Sequence, residues 1–348
     1  MRLPGIYRLR RATRRFRNRF RPTALILLYH RVTDLPSDPL SLCVTTKHFK
    51  DHLEILSKRV HPVSLQHLNQ TLQEGNLASR SIVITFDDGY ADNLHNAKPL
   101  LERFNIPATV FVTSGYAGRE REFWWDQLDR LLLQPGTLPE AIQLKINGST
   151  YEWQLKEWAR YGEEDCRRYR SWNVLEKTDP TLRHSLYRSL CQLLRPLPNK
   201  KREKVLEELF RLSEVESVAR TSHRTLSHDE ISELERGGLV EVGSHTITHT
   251  MLSTVSAIEQ ELELQKSKAD LEKIVNHPVT SFAYPYGSET DYTTDTVTLV
   301  REAGFQCACS NFPDIVYGGT DCFQLPRVLV RDWDEDTFTR LLGQWFLG

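Results

Sequence analysis

Two carboxylates and two imidazoles are spaced so that they could do chemistry together. Asp87 and Asp88 follow the apolar run Ile82-Val83-Ile84 within Thr85-Phe86-Asp87-Asp88-Gly89. His245 and His249, four residues apart, follow a second apolar run at Leu239-Val240-Glu241-Val242. Adjacent carboxylates raise the pKa of one member unless a cation is close. Consecutive strand side chains point to opposite faces, so both serve one site only where the backbone leaves strand geometry, which Gly89 helps it to do. On a helical turn the four-residue spacing puts both imidazoles on one side, within reach of one ion. Asp88, His245 and His249 then make three ligands, and a fourth position open to water is what catalytic zinc requires. A metalloprotease of the H-E-x-x-H type is disfavoured because Thr246 takes the Glu position. Taken singly, Asp-Asp-Gly also suits a surface turn, and two histidines at this spacing also suit capping or packing.

The elements that must position these residues are β-rich runs at 24–29, 82–86, 108–112, 239–242, 281–284, 306–310 and 325–330. Helical patterns lie at 46–59, 91–104, 227–236, 256–275 and 334–346. Strands alternating with helices imply an α/β fold with a mainly parallel sheet. About seven such repeats favour a distorted (β/α) barrel over a doubly wound sheet. Residues 119–221 break the alternation and read as a mainly helical insertion, with helical segments at 128–133, 182–194 and 200–212 and a hairpin turn at Asn147-Gly148. The expected organisation is a basic leader (1–22), a first barrel part (23–118), the insertion (119–221) and a second barrel part (222–348).

With 348 residues, 39% hydrophobic and 26% charged, the chain is ordinary globular material and not a disordered one. Its net charge of −1 is unevenly placed, because residues 1–22 hold nine Arg and no acidic residue. Ile6, Leu9, Phe16 and Phe20 share one narrow helical sector there, the pattern of an interfacial helix on anionic lipid. A disordered basic leader, or a helix packed on the acidic body, fits the same residues. No basic, aromatic-rich surface follows, which argues against nucleic acid. The longest apolar run near the N-terminus, residues 24–29, is too short for a membrane span or a signal-peptide core, so the expected location is cytoplasmic, with peripheral contact at the inner membrane face through residues 1–22. The six cysteines form no C-x-x-C pair and read as reduced thiols, Cys307 and Cys309 sharing one strand face.

Thr85-Phe86-Asp87-Asp88-Gly89, His245-Thr246-Ile247-Thr248-His249 and Phe282-Ala283-Tyr284-Pro285-Tyr286-Gly287 together resemble, in order, the three motifs of the polysaccharide deacetylase family, the NodB-homology carbohydrate esterases. The resemblance covers roughly 23–118 and 222–346 and leaves the insertion outside. It implies Asp87 as catalytic base, Asp88, His245 and His249 as ligands of one divalent ion, with zinc expected, and Tyr286 as donor of a backbone N–H to the oxyanion. Two departures follow. Ala283 stands where the family's third motif carries the Arg that orients the base, and Arg327, in Leu325-Pro326-Arg327-Val328, is the substitute candidate, although it also suits a surface salt bridge. The late L-x-H motif that supplies the general acid is missing, since no histidine follows His277. His30, in Leu28-Tyr29-His30-Arg31-Val32, resembles the position used in the permuted-motif branch typified by the poly-N-acetylglucosamine deacetylases, and also suits a core histidine. The implied activity is metal-dependent N-deacetylation of an amino sugar in a polysaccharide, oligosaccharide or lipid-linked glycan. Hydrolysis of another N-acyl or formyl amide, and a catalytically silent glycan-binding module, are the alternatives.

Overall fold

A computed structural model describes residues 22–213 and 218–347. The leader helix expected over 1–22 therefore lies outside the described residues, apart from Pro22. Seven strands run in one direction: β1 (Thr23–Tyr29), β2 (Ser81–Phe86), β3 (Ala108–Val112), β4 (Val240–Ser244), β5 (Ser281–Ala283), β6 (Cys307–Cys309) and β7 (Val328–Leu329). Each pairs in parallel with its sequence neighbour from β1 to β6, and β7 returns to pair with the free edge of β1. The outer edges come together at one parallel bridge, Cys309 to Leu325, so the sheet curls into the expected distorted barrel. Two short segments depart from the simple repeat: Val316–Tyr317 lies antiparallel on the beginning of β1, and His61–Pro62 pairs with β2.

Alternation along the buried strands sorts side chains between two apolar layers. Leu25, Leu27, Tyr29, Ile82, Ile84 and Phe86 face the surrounding helices. Ala24, Ile26, Val83 and Phe111 face the inside of the curl. Before the insertion, α1 (Thr46–Arg59) covers the outside, α2 (Leu65–Glu74) packs Leu65 and Leu68 with the layer inside the curl, and α3 (Lys98–Phe104) returns to the outside. The insertion contributes α4 (Trp124–Leu132), α5 (Glu163–Tyr169), α6 (Leu182–Leu194) and α7 (Asn199–Leu212). After it come α8 (His228–Glu235), α9 (Ala257–Val275), α10 (Thr294–Glu302) and α11 (Glu335–Leu347). The helix expected at 91–104 opens as a π turn, Asn93–Ala97, before α3. Pro99 has no N–H for the carbonyl four residues back, and the turn ahead of it widens. The strand expected at 325–330 shortens to β7, which leaves Arg327 just ahead of the paired residues.

The insertion has an apolar centre of its own, in which Leu128 and Leu131 of α4 meet Leu186 and Leu190 of α6 and Leu206 and Leu209 of α7. Its hairpin, Ala141–Ile146 and Ser149–Gln154, turns at Asn147 and Gly148, both with positive φ (50° and 90°), as an Asn-Gly pair favours. Arg220 ties the two ends together through Glu122 (3.0 Å) and Asp129 (2.6 Å). That apolar centre does not stop at the insertion: Tyr90, Tyr116 and Tyr286 from the barrel loops pack into it.

Candidate active site

The C-terminal ends of β1, β2, β4 and β5 and the segment leading into β7 converge on one cluster. Val83, Thr85 and Asp87 share the inward face of β2 and its continuation, so Asp87 enters the curl by strand alternation. Asp88 points into the same site because its own backbone turns left-handed (φ 76°), followed by Gly89 (φ 77°). The departure from strand geometry thus begins one residue earlier than Gly89.

Arg327 is fully buried and meets Asp87 with both ends of its guanidinium, Nη1 to Oδ1 and Nη2 to Oδ2, each at 2.7 Å. It also donates to Thr85 Oγ1 (3.2 Å) and the Ser310 carbonyl (2.7 Å), and its guanidinium lies 5.5 Å from the Phe111 ring centre. Arg327 is therefore no surface ion pair. Burial alone would raise the Asp87 carboxyl, but the Arg327 charge and His245 outweigh it and hold the pKa at about 2.

His245, His249 and Asp88 offer ligand atoms that all lie within 4.8 Å of one another, and all three residues are buried. Asp88 Oδ1 lies 3.3 Å from His249 Nε2 and 3.7 Å from His245 Nε2. The residues fit a divalent ion on three counts. Asp88 Oδ1 is buried without a hydrogen-bond partner among the described residues. His245 Nδ1 is 2.8 Å from the Ala283 carbonyl, so that nitrogen carries the proton and Nε2 presents its lone pair. Burial lowers both imidazoles, to about 4 for His245 and about 3 for His249, which keeps them in the neutral form that binds metal.

The histidine motif is not a helical turn. Residues 245–250 form a loop in which Thr246 (φ 65°) and His249 (φ 53°) are left-handed. Glu263 of α9 shapes it, accepting from the Ile247 N–H (2.8 Å), the Thr248 N–H (2.9 Å) and the Thr248 hydroxyl (2.5 Å). The imidazoles still meet, with ring centres 4.9 Å apart.

Tyr286 is left-handed as well (φ 62°), and no backbone carbonyl among the described residues accepts its N–H. Its ring stands edge-on to His249, with centres 4.6 Å apart. His30 follows β1 directly. Its Nδ1 is buried with no partner among the described residues, and its carbonyl accepts from Asn93 (2.9 Å). Burial lowers the His30 pKa, while the Asp88 and Asp87 carboxylates pull it back up, which places its ring beside the cluster. All seven residues singled out in the sequence gather at this end of the sheet. The insertion adds a share of its own that none of the motifs marks. Trp125 lies 4.9 Å from the His249 ring, Trp124 donates to the Tyr286 hydroxyl (3.3 Å), and Arg202 reaches the Thr248 carbonyl (3.0 Å). The run Phe123-Trp124-Trp125 at the start of the insertion was the available signal.

A profile of the polysaccharide deacetylase family matches residues 74–138 and 203–308, which takes in all three motifs. The chain belongs to the polysaccharide deacetylase family. It is 30% identical over 143 residues to YxkH of Bacillus subtilis (strain 168), a protein named for the polysaccharide deacetylases, covering 38% of this chain and 48% of that one. It is 32% identical over 111 residues to the poly-beta-1,6-N-acetyl-D-glucosamine N-deacetylase of Staphylococcus epidermidis, covering 28% of this chain and 38% of that one. The matched region thus spans less than half the length of either curated relative. Among solved structures, the Streptococcus pyogenes deacetylase PplD, determined in complex with acetate, shares the deacetylase fold at a TM-score of 0.57 and 15% identity, covering 92% of this chain and 99% of that one. Within the family frame, β1 to β7 form the curled deacetylase sheet; the match enters the stretch expected to lie outside the resemblance at both ends, taking in residues 119–138 and 203–221, and leaves 139–202 between its two parts.

Proposed function

We propose that this chain is a metal-dependent hydrolase that removes the N-acetyl group from an amino sugar within a glycan. The observation that carries the reading is the buried Asp87–Arg327 pair set against a buried Asp-His-His cluster at one end of the sheet. Asp88, His245 and His249 would hold one divalent ion, and one carboxylate with two imidazoles suits zinc. A divalent ion in such a site acidifies water and polarises a carbonyl oxygen. Asp87, ionised throughout the neutral range, takes the proton of the attacking water, and Arg327 fixes its orientation. The Tyr286 N–H donates to the oxyanion as it develops. His30 delivers a proton to the departing nitrogen. Acetate and a free amine result, and the amine takes up a proton, so the glycan gains positive charge.

The test is to incubate zinc-loaded protein with a panel of N-acetylated oligosaccharides and lipid-linked sugars and to measure released acetate. Formate from an N-formyl sugar in place of acetate would move the reading to another amide. Zinc-bound protein that turns over no N-acyl sugar would mark a silent glycan-binding module.

The role of His30 has its own expected outcome. If it protonates the leaving nitrogen, His30→Ala lowers turnover on the amide by about 10²-fold or more. An activated ester, whose phenolate departs with little help, loses far less, and zinc binding stays as in the wild type. Equal losses on both substrates, or loss of zinc, would make His30 a structural or substrate-positioning residue.

No helix among the described residues is long and apolar enough to cross a membrane. The nine arginines of residues 1–22 support peripheral contact with anionic lipid on the cytoplasmic side. Deleting residues 1–21 is expected to leave turnover of a soluble substrate intact and to weaken binding to anionic vesicles, with the difference shrinking as salt rises. Equal vesicle binding by both forms at low salt would refute that contact.

A further inference from the structure

The insertion holds a buried arginine whose bonds are unlike those of the other buried arginines near the site. Arg327 meets Asp87, and Arg31 meets Asp92 (2.9 Å). Arg183, inside the insertion, has no carboxylate but gives hydrogen bonds to five backbone carbonyls. Arg202 of α7 is 1% exposed and has neither arrangement. Its guanidinium donates to the Thr248 carbonyl (3.0 Å), the Tyr286 hydroxyl (3.4 Å) and Asn199 Oδ1 (3.4 Å), and its Nε finds no acceptor among the described residues. The guanidinium also lies 5.5 Å from the Trp124 ring centre, but no carboxylate among the described residues hydrogen-bonds it, and a buried cation without one is costly, so Arg202 is poorly explained as a stabilising contact of the fold alone.

What Arg202 does join are two loops of the site. Thr248 immediately precedes the ligand His249, and Tyr286 carries the N–H assigned to the oxyanion. A second insertion arginine acts on the same loop: Arg195 lies 4.7 Å from the Tyr286 ring centre and pairs with buried Asp291 (2.9 Å), which accepts from the Ser288 N–H (2.8 Å). The Tyr286 hydroxyl also receives the Trp124 indole N–H (3.3 Å). A left-handed tyrosine backbone is strained, and a side chain gripped at hydroxyl, face and edge is one way to hold it.

We propose that Arg202 is a positioning residue for the reaction, clamping the Tyr286 loop against the His249 loop so that the oxyanion donor keeps a fixed place relative to the ligand cluster. The helical insertion is in that case part of the catalytic apparatus. This inference rests on the N-deacetylase reading above, and the experiment separates the two.

Zinc-loaded wild type is first assayed for acetate release; its absence from every N-acetylated glycan defeats the deacetylase reading itself. With activity in hand, Arg202→Met, Arg202→Lys, Tyr286→Phe and the double variant Arg202→Met/Tyr286→Phe are compared at equal zinc occupancy. Losing an oxyanion donor outright costs about 10²- to 10³-fold in turnover. A loosened donor is expected to cost about tenfold or more in kcat, with KM nearly unchanged, because the contact matters only in the transition state. Arg202→Lys, which keeps the charge but cannot fork to both oxygens, falls between. The double variant should lose clearly less than the product of the two single losses, since both substitutions remove the same Arg202–Tyr286 contact, while Tyr286→Phe also removes the Trp124 bond and Arg202→Met the Thr248 bond. A phosphonate mimic of the tetrahedral intermediate should lose affinity in Arg202→Met by the same factor as kcat, which gives a readout besides turnover. Wild-type kcat in folded Arg202→Met, or fully additive losses in the double variant, would overturn the clamp. If Arg202→Met fails to fold, Arg202→Lys and Tyr286→Phe carry the same comparison.

Discussion

Asp87→Asn is expected to abolish turnover, by about 10²- to 10⁴-fold, while leaving zinc bound. The amide is nearly isosteric with the carboxylate, but it cannot take a proton from water. Its Nδ2 would also face one Arg327 donor with another donor, where the carboxylate now accepts twice at 2.7 Å. Breaking a fully buried ion pair by changing one partner costs about 3–5 kcal/mol in the severe case. A drop in melting temperature is therefore expected and has to be measured beside activity. Zinc stoichiometry separates loss of the base from loss of the site, because Asp87 is not assigned as a ligand. The matching change, Arg327→Met, leaves the buried Asp87 carboxylate without its cation and should destabilise at least as much. A folded, zinc-replete Asp87→Asn protein that keeps a tenth of the wild-type rate would remove Asp87 from the base's role.

His249→Ala is expected to lose stoichiometric zinc and, with it, activity. Three proposed protein ligands become two, and Asp88 Oδ1, which has no hydrogen-bond partner among the described residues, loses the nearer of its two imidazole neighbours. The substitution is cleaner than His245→Ala, which would also break the hydrogen bond to the Ala283 carbonyl that fixes the tautomer. Binding reports on the site without any assay of turnover. Zinc at 100 times its dissociation constant stabilises the native state by about 2.7 kcal/mol, so the wild-type melting temperature should rise with zinc while that of His249→Ala stays flat. Unchanged affinity in His249→Ala would defeat the ligand set.

Much of the fold could be read from the chain because its signals are local. The apolar runs that became β1, β2 and β3 are bounded by polar and glycine-containing segments, and Thr46–Arg59 begins at a serine-like cap, Thr45, whose side chain accepts from the His48 N–H. The Asn147-Gly148 hairpin was equally local. The four-residue spacing of His245 and His249 predicts proximity, which holds, and suits a helical turn, which the left-handed loop replaces. A spacing of four is compatible with any backbone that brings two side chains together, and here Glu263, on a helix fourteen residues beyond His249, imposes a left-handed loop.

Residue types and their order fix which chemistry is available: two adjacent carboxylates after a buried strand, two histidines after another, a tyrosine loop after a third, and an order that matches one family. The partners of these residues come from long-range packing. Arg327 meets Asp87 across 240 residues of chain because β7 closes on the free edge of β1 next to β2, and no periodicity in either segment encodes that pairing. The same holds for the insertion. Its helices follow from apolar spacing, yet where Arg202 and Trp124 come to rest depends on how its apolar centre merges with Tyr90, Tyr116 and Tyr286 of the barrel. Secondary structure answers to neighbours a few residues away, whereas a buried charge is placed by whatever long-range packing leaves beside it.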